Sequence, residues 1–228
     1  MINYLDRSIK MLGKEKIRSF KNKVILVAGI GGVGGTALEA LVRSGFDTFI
    51  LIDFDCVDES NLNRQILYTS DDIGKSKVFA ARKRILSINS DAKVEVIDAK
   101  ITSGFFAKVT EKVDFVIDAI DYVPGKLELY KYALKNNIPF ISSLGMGNRM
   151  DPSQVKITKL NKTEGDPLAR KIRYECKTNG LDLKKINVVF SSEVPLIKSD
   201  KPGSMIMVPS TAGLLIAQYV IENIGGAL

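Results

Sequence analysis

The side chains able to do chemistry gather in one stretch of the chain and its continuation. Gly29, Gly31 and Gly34 have the G-x-G-x-x-G spacing, with Gly32 and Gly35 added. Glycines are needed there because any Cβ would hold the backbone amides away from a phosphate. Asp53 falls about 20 residues further on, where a carboxylate accepts hydrogen bonds from ribose hydroxyls. Asp55 and Asp58 follow, then Ser60-Asn61-Leu62-Asn63-Arg64-Gln65, with Lys77 thirteen residues past Arg64. A nicotinamide dehydrogenase has no use for this cationic, amide-rich segment. A triphosphate does, since its charge must be neutralised before a carboxylate can approach the α-phosphorus. Further along, Asp118 and Asp121 close an apolar run. Carboxylates at the carboxyl end of a parallel strand lie in the crevice where such sheets bind ligands. Asp121 suits a hard cation there, and Asp118 suits a helix cap or sheet end equally well.

These residues need a scaffold that brings them together. Residues 24–28 form an unbroken apolar run, as a strand buried on both faces requires. Ala37, Leu38, Leu41 and Val42 repeat at helical spacing up to Gly45, and a second strand over 48–52 ends on Asp53. Val78, Ala81, Ile85 and Ile88 form a helix face that puts Lys77 near the helix start. Strands are expected over 94–97, 115–117 and 139–142, a short helix at 105–109, and a helix carrying Leu127, Tyr130 and Leu134. At the N-terminus Asp6 is expected to cap one amphipathic helix carrying Ile9, Leu12, Ile17 and Phe20. The apolar stretch 205–221 is interrupted by Pro209, Ser210, Thr211 and Gln218 and falls short of the ~20 apolar residues that span a bilayer. It predicts a buried helix over about 211–223, ended by Gly225-Gly226, and no membrane association. The fold class is α/β, a doubly wound Rossmann-like sheet with flanking helices. One domain over 1–228 is expected, with a nucleotide core at about 24–150, a basic substrate-side region at about 151–204 and a C-terminal helical region at about 205–228.

Charge and composition narrow the chemistry. The formal net charge of +7 over 228 residues is unevenly spread. Residues 1–23 carry 7 basic and 2 acidic side chains, and residues 156–201 carry 11 and 6. Residues 24–155 carry 15 and 17, so a slightly acidic core lies between flanks able to hold a polyanion. Histidine is absent and the two cysteines, Cys56 and Cys176, are unclustered. Histidine acid/base catalysis is excluded, zinc would lack its usual ligands, and the cysteine usage fits a reducing cytoplasm. The N-terminal stretch is punctuated by charge and lacks an apolar signal core.

In order along the chain, GxGGxG, DxDxVxxSNLNRQ and GxxK resemble the motifs of the ubiquitin-activating-enzyme-like adenylyltransferase superfamily. The resemblance implies that ATP and magnesium convert a carboxylate into an acyl adenylate. It assigns nucleotide binding to Gly29, Gly31, Gly32, Gly34, Asp53, Asp55, Asn61, Asn63, Arg64, Gln65, Lys77 and Asp121. Arg64, Lys77 and Asp121 would be catalytic, with Asp121 placing magnesium. It also implies a homodimer in which the arginine often reaches the neighbouring subunit's ATP. The stretches beginning at Ser143, Asp166, Val189 and Gly203 resemble the branch that dehydrates threonylcarbamoyladenosine in tRNA. That branch is implied to activate the carboxylate of the modified nucleoside and to close it into a ring.

The basic region then acquires a purpose, with Lys162, Arg170, Lys171 and Arg173 as candidate tRNA-binding residues. Tyr174 is expected to be half-buried packing rather than a stacking platform. One departure stands out: where the branch commonly has a cysteine before Val-Phe-Ser-Thr-Glu, this chain has Asn187-Val188 leading into Val189-Phe190-Ser191-Ser192-Glu193. No thioester step is therefore expected, and Cys176 and Cys56 are expected to be idle. Competing readings are adenylation of the C-terminal carboxylate of a ubiquitin-like sulfur carrier, a non-catalytic nucleotide- or RNA-binding module, and a nicotinamide oxidoreductase. A protein partner for sulfur or electron transfer is left open.

Overall fold

Short segments rich in apolar and β-branched residues become the strands of one sheet, with charge confined to the edge strands and the strand ends. The computed structural model describes residues 4–109, 111–197 and 202–224. β1 (Val24–Ala28), β2 (Thr48–Asp53), β3 (Lys93–Asp98), β4 (Phe115–Asp118), β5 (Phe140–Ser143), β6 (Val155–Lys159) and β7 (Asn187–Ser191) pair in the order β3-β2-β1-β4-β5-β7-β6. All neighbours are parallel except β6, which pairs antiparallel to β7 at the edge. The connection reverses direction between β1 and its neighbours β2 and β4, which opens a crevice at the carboxyl ends of those strands.

Alternation along each strand feeds two cores. Ile25 and Val27 of β1 face one side, together with α3 (Gly32–Arg43), α4 (Lys77–Ile88) and α7 (Met207–Asn223). Leu26 and Ala28 face the other, packed beneath α5 (Val123–Lys135) and α6 (Pro167–Thr178). A sheet covered on both faces is the doubly wound architecture expected from the apolar runs.

Four details differ from the sequence-based expectations. The N-terminal helix is two helices, α1 (Asp6–Leu12) and α2 (Lys14–Ser19), because Gly13 takes φ +81° between them. Leu5, not Asp6, is the cap of the first, and Asp6 lies in its first turn. The C-terminal helix begins at Met207, before the expected position, with Pro209 in its first turn, where a missing N–H costs nothing. Gly225-Gly226 lies outside the described residues. The antiparallel edge strands β6 and β7, joined through α6 rather than by a tight turn, were not among the expected strands, although Val155-Lys-Ile-Thr-Lys159 alternates as a half-buried strand does.

No helix among the described residues is long and apolar enough to cross a membrane. α7 lies close against α3: a Cβ on Gly213 would sit 2.5 Å from the Val33 carbonyl oxygen and 2.7 Å from Thr36 Cβ. Gly213→Ala is therefore expected to lower stability by about 1–3 kcal/mol in chemical denaturation, despite alanine's better helix propensity.

Candidate active site

The turn between β1 and α3 is built for close backbone approach. Gly29 has φ +85°, and a Cβ on it would lie 2.6 Å from the Ala119 carbonyl group. The turn thus rests directly on the loop after β4. A Cβ on Gly34 would fall 1.9 Å from the Gly29 carbonyl oxygen, so Gly34 is required by the packing of the turn itself. Gly31 caps α3 without a side chain, and no acidic residue occupies the first turn of that helix. Its leading amides remain open to an anion.

The end of β2 is wired to this turn. Asp53, 8% exposed, accepts hydrogen bonds from the Ile30 amide at 2.6 Å and the Asp55 amide at 2.9 Å. Burial pushes its carboxyl above the ordinary aspartate range, against the lowering effect of those two amides. Lys77 is 6% exposed and its Nζ donates to Asp55 Oδ2 at 2.8 Å, while its backbone amide donates to the Asp55 carbonyl at 2.9 Å. Tyr68, which motif reasoning missed, donates its hydroxyl to the Ile30 carbonyl at 2.7 Å and ties the glycine turn to the segment before α4.

These groups line a cavity of about 400 Å³, within the usual range for a small-molecule site. Gly29, Gly31, Gly32, Asp53, Asp55, Asn61, Arg64, Gln65, Lys77 and Asp121 all border it. Gly34 and Asn63 do not. Asn63 instead bridges two segments: its Oδ1 accepts from Arg64 Nη1 at 2.8 Å and its Nδ2 donates to the Ser204 carbonyl at 2.9 Å. Arg64 also donates to the Ser60 carbonyl at 2.7 Å. Asn61 closes the short turn Glu59–Asn61 by accepting from the Asp58 amide at 3.3 Å, so its amide group has a structural task at the cavity wall. Gln65 is buried, and its Oε1 has no hydrogen-bond partner among the described residues. Such an acceptor suits a ligand donor.

The two aspartates after β4 divide their work. Asp118 is fully buried and pairs with Lys126 Nζ at 2.9 Å and Ser142 Oγ at 2.6 Å. Lys126 also donates to the Ser143 carbonyl at 2.7 Å, and Asp118 Oδ1 accepts from the Ile120 amide at 3.3 Å. Asp118 is thus an internal anchor of the turn. Asp121, three residues on, is exposed and faces the cavity. Sequence reasoning did not single out Lys126; its only signal was a lysine eight residues past a sheet-end aspartate. The opposite wall was also missed: Lys100 Nζ lies 5.0 Å from the Tyr122 ring centre and 5.3 Å from that of Phe54, two rings that meet edge to face. No group of three or more metal-ligating side chains occurs among the described residues. Asp121 fits magnesium in the way that ion usually binds, through one or two carboxylates plus phosphate oxygens and water.

The candidate tRNA-binding residues lie on α6 and just before it. Lys162, Arg170 and Lys171 are exposed, but Arg173 is partly buried and donates to the carbonyl and hydroxyl oxygens of Thr163. Tyr174 is 68% exposed, contrary to the packing role expected for it, because Ala169, Ile172 and Cys176 form the buried stripe of α6 and Tyr174 lies opposite. Burial pushes the Cys176 thiol up to about 12, and Cys56 is exposed.

A doubly wound sheet with a glycine turn, a ribose-type carboxylate and buried and partly buried cations around one cavity defines a nucleotide-binding protein. The chain belongs to the ThiF family, whose pattern matches residues 5–227. It is similar to the tRNA threonylcarbamoyladenosine dehydratase of Bacillus subtilis, with 33% identity over 98% of this chain and 95% of that protein. The dehydratase of the same name from Escherichia coli is 36% identical over 89% of this chain and 78% of its own length. The crystal structure of the E. coli tRNA N6-threonylcarbamoyladenosine dehydratase in complex with ATP superposes with a TM-score of 0.90 at 33% identity, covering 96% of this chain and 93% of that one.

The raised pKa of Asp53 has a signed consequence. A carboxyl that protonates more readily in the fold stabilises it below the unfolded-state pKa and loses that contribution as pH rises through the folded-state pKa. Ionised Asp53 is therefore a cost at neutral pH. The stability of Asp53→Asn relative to wild type, read by thermal melts without nucleotide, is expected to be most favourable at about pH 7 and least favourable at about pH 3.

Proposed function

We propose that this protein uses ATP to dehydrate threonylcarbamoyladenosine in tRNA, by activating the carboxylate as an acyl adenylate and closing the ring. The observation that carries the reading is the meeting of Arg64, Lys77 and Asp121 with the glycine turn and Asp53 on one cavity. The whole-length similarity to dehydratases supports the substrate. The amides that begin α3 and Asp53 would hold the phosphates and the ribose. Arg64 and Lys77 would offset charge on the triphosphate as the substrate carboxylate oxygen attacks the α-phosphorus and pyrophosphate leaves. Magnesium, when bound beside Asp121, would supply further neutralisation of the phosphates. An internal nucleophile of the threonylcarbamoyl group then attacks the activated carbonyl carbon and AMP leaves with the former carboxylate oxygen. The net change in the nucleoside is the loss of one water.

No thiol enters this scheme. Cys176 is buried on the inner face of α6, its thiol remains protonated at neutral pH, and it has no hydrogen bond to a base among the described residues. A homodimer fits the exposed apolar side chains of Leu196, Ile197, Met205 and Ile206. A tRNA substrate and unpaired cysteines fit the cytoplasm. Carrier-protein adenylation is not favoured, since the Bacillus subtilis dehydratase matches over 95% of its length, whereas the sulfur carrier protein adenylyltransferase of Thermus thermophilus matches over 44% of its own.

Incubation of tRNA bearing threonylcarbamoyladenosine with the protein, ATP and magnesium is expected to yield a nucleoside lighter by one water in mass spectrometry, and only when ATP is present. An unchanged nucleoside in the presence of confirmed ATP binding would overturn the assignment. In the same assay Arg64→Ala and Asp121→Ala are each expected to lower turnover by about 10²-fold. The double variant Cys56→Ser/Cys176→Ala is expected to keep turnover within about twofold of wild type.

A further inference from the structure

One surface outside the nucleotide cavity is charged, aromatic and unpartnered in a single stripe. On α6, Arg170, Lys171, Tyr174 and Lys177 recur at intervals of three and four, which places them on one helix face. All four are exposed, and Lys162 lies exposed just before the helix. The buried stripe of Ala169, Ile172 and Cys176 is opposite. None of these four cations has an ion-pair partner among the described residues. The neighbouring Arg173 and Arg149, by contrast, are both committed to contacts inside the protein.

The direction of the helix matters as much as its charge. Its start is fixed on the side of the sheet where the strands end, the side that also holds the nucleotide cavity. There Asp166 accepts from the Ala169 amide at 3.1 Å, and its Oδ2 lies 3.9 Å from Arg149 Nη2. Arg149 in turn donates to the carbonyls of Gly145 and Glu193, in the loops that follow β5 and β7. The other end of α6 runs into Gly180 and Leu181, which share a groove with Pro139 at the amino end of β5. Twelve residues of helix span about 18 Å. The stripe therefore runs from the side of the sheet where the strands end, which is also the side that holds the cavity, toward the side where they begin.

We infer that this face of α6 is the docking surface for the stem that carries the modified nucleotide, with Tyr174 stacking on an unpaired base or sugar beside it. The inference rests on the proposed dehydration of a tRNA nucleotide and extends it to the RNA beyond the cavity. The occupant is RNA because unpaired cations along a helix match a run of phosphates, and an exposed aromatic ring among them has a partner in a base that no acidic protein surface offers. Arg173, held by Thr163, is outside the docking set.

The test is equilibrium binding of tRNA across a salt series. The triple variant Arg170→Glu/Lys171→Glu/Lys177→Glu is expected to bind tRNA more than about tenfold more weakly, with a salt dependence shallower by about two to three units in the log–log slope. Its ATP affinity is expected to equal that of wild type, which reports an intact fold. Tyr174→Ala is expected to weaken binding by about fivefold or more, and Tyr174→Phe to retain it. If the triple variant binds tRNA as tightly as a wild type that still dehydrates it, the docking surface is overturned and the dehydration stands. Failure of the wild type to bind tRNA while it binds ATP would overturn both.

Discussion

The structure depends on one close approach between two pieces of backbone. The turn after β1 presses on the loop after β4 so tightly that a Cβ on Gly29 would meet the Ala119 carbonyl group at 2.6 Å. That contact sets how near the start of α3 can come to the carboxylate of Asp121. Everything that makes the cavity polar follows from it. The amides of α3 face inward on one side, Asp53 is held against the Ile30 amide at the floor, and Asp121 is presented from the other side. A side chain at Gly29 would force these two walls apart, and no movement of a flexible terminus could relieve the clash, because the opposing atoms are main chain.

Electrostatics supply the second constraint. A triphosphate brings several negative charges into a crevice whose floor already holds a buried carboxylate. The chain answers with one cation kept almost dry, Lys77, and one only partly buried, Arg64. Lys77 is held by Asp55, a half-exposed carboxylate on a neighbouring turn, so its charge is positioned before any ligand arrives. Arg64 is folded onto Ser60 and Asn63 and has to release only exposed hydrogen bonds to reach a phosphate. Such bonds cost little to exchange for charge-assisted ones. Beneath them the Asp118–Lys126 pair carries no exposure at all, and its additional bonds to Ser142 and the Ser143 carbonyl satisfy a charge that would otherwise be expensive to bury. It anchors the turn from which Asp121 projects.

Much of this was legible in the sequence, for physical reasons that differ by element. A strand buried on both faces tolerates no polar residue, so residues 24–28 mark β1 at its observed bounds. Glycine spacing and the distance to Asp53 were equally plain, because backbone approach to a phosphate leaves few alternatives in residue type. Of the amide-rich segment, Asn61, Arg64 and Gln65 border the cavity and Asn63 does not, a division set by turn geometry, which composition does not encode. Lys126 was invisible because its partner lies at the end of a strand and its burial depends on three other groups. Tyr174 and Arg173 exchanged their expected places for the same reason, since one step around a helix turns a side chain from packing to solvent. The split at Gly13 needed a positive φ that a helical pattern does not announce.

The central claim is that the carboxylate is activated at the α-phosphorus of ATP rather than by transfer of the terminal phosphate. The most direct measurement uses tRNA whose threonylcarbamoyladenosine carries oxygen-18 in the carboxylate, followed by mass analysis of the nucleotide products. The account predicts AMP containing one labelled oxygen, formed together with pyrophosphate and in step with the dehydrated nucleoside. Unlabelled AMP, or label appearing in inorganic phosphate beside ADP, would contradict it.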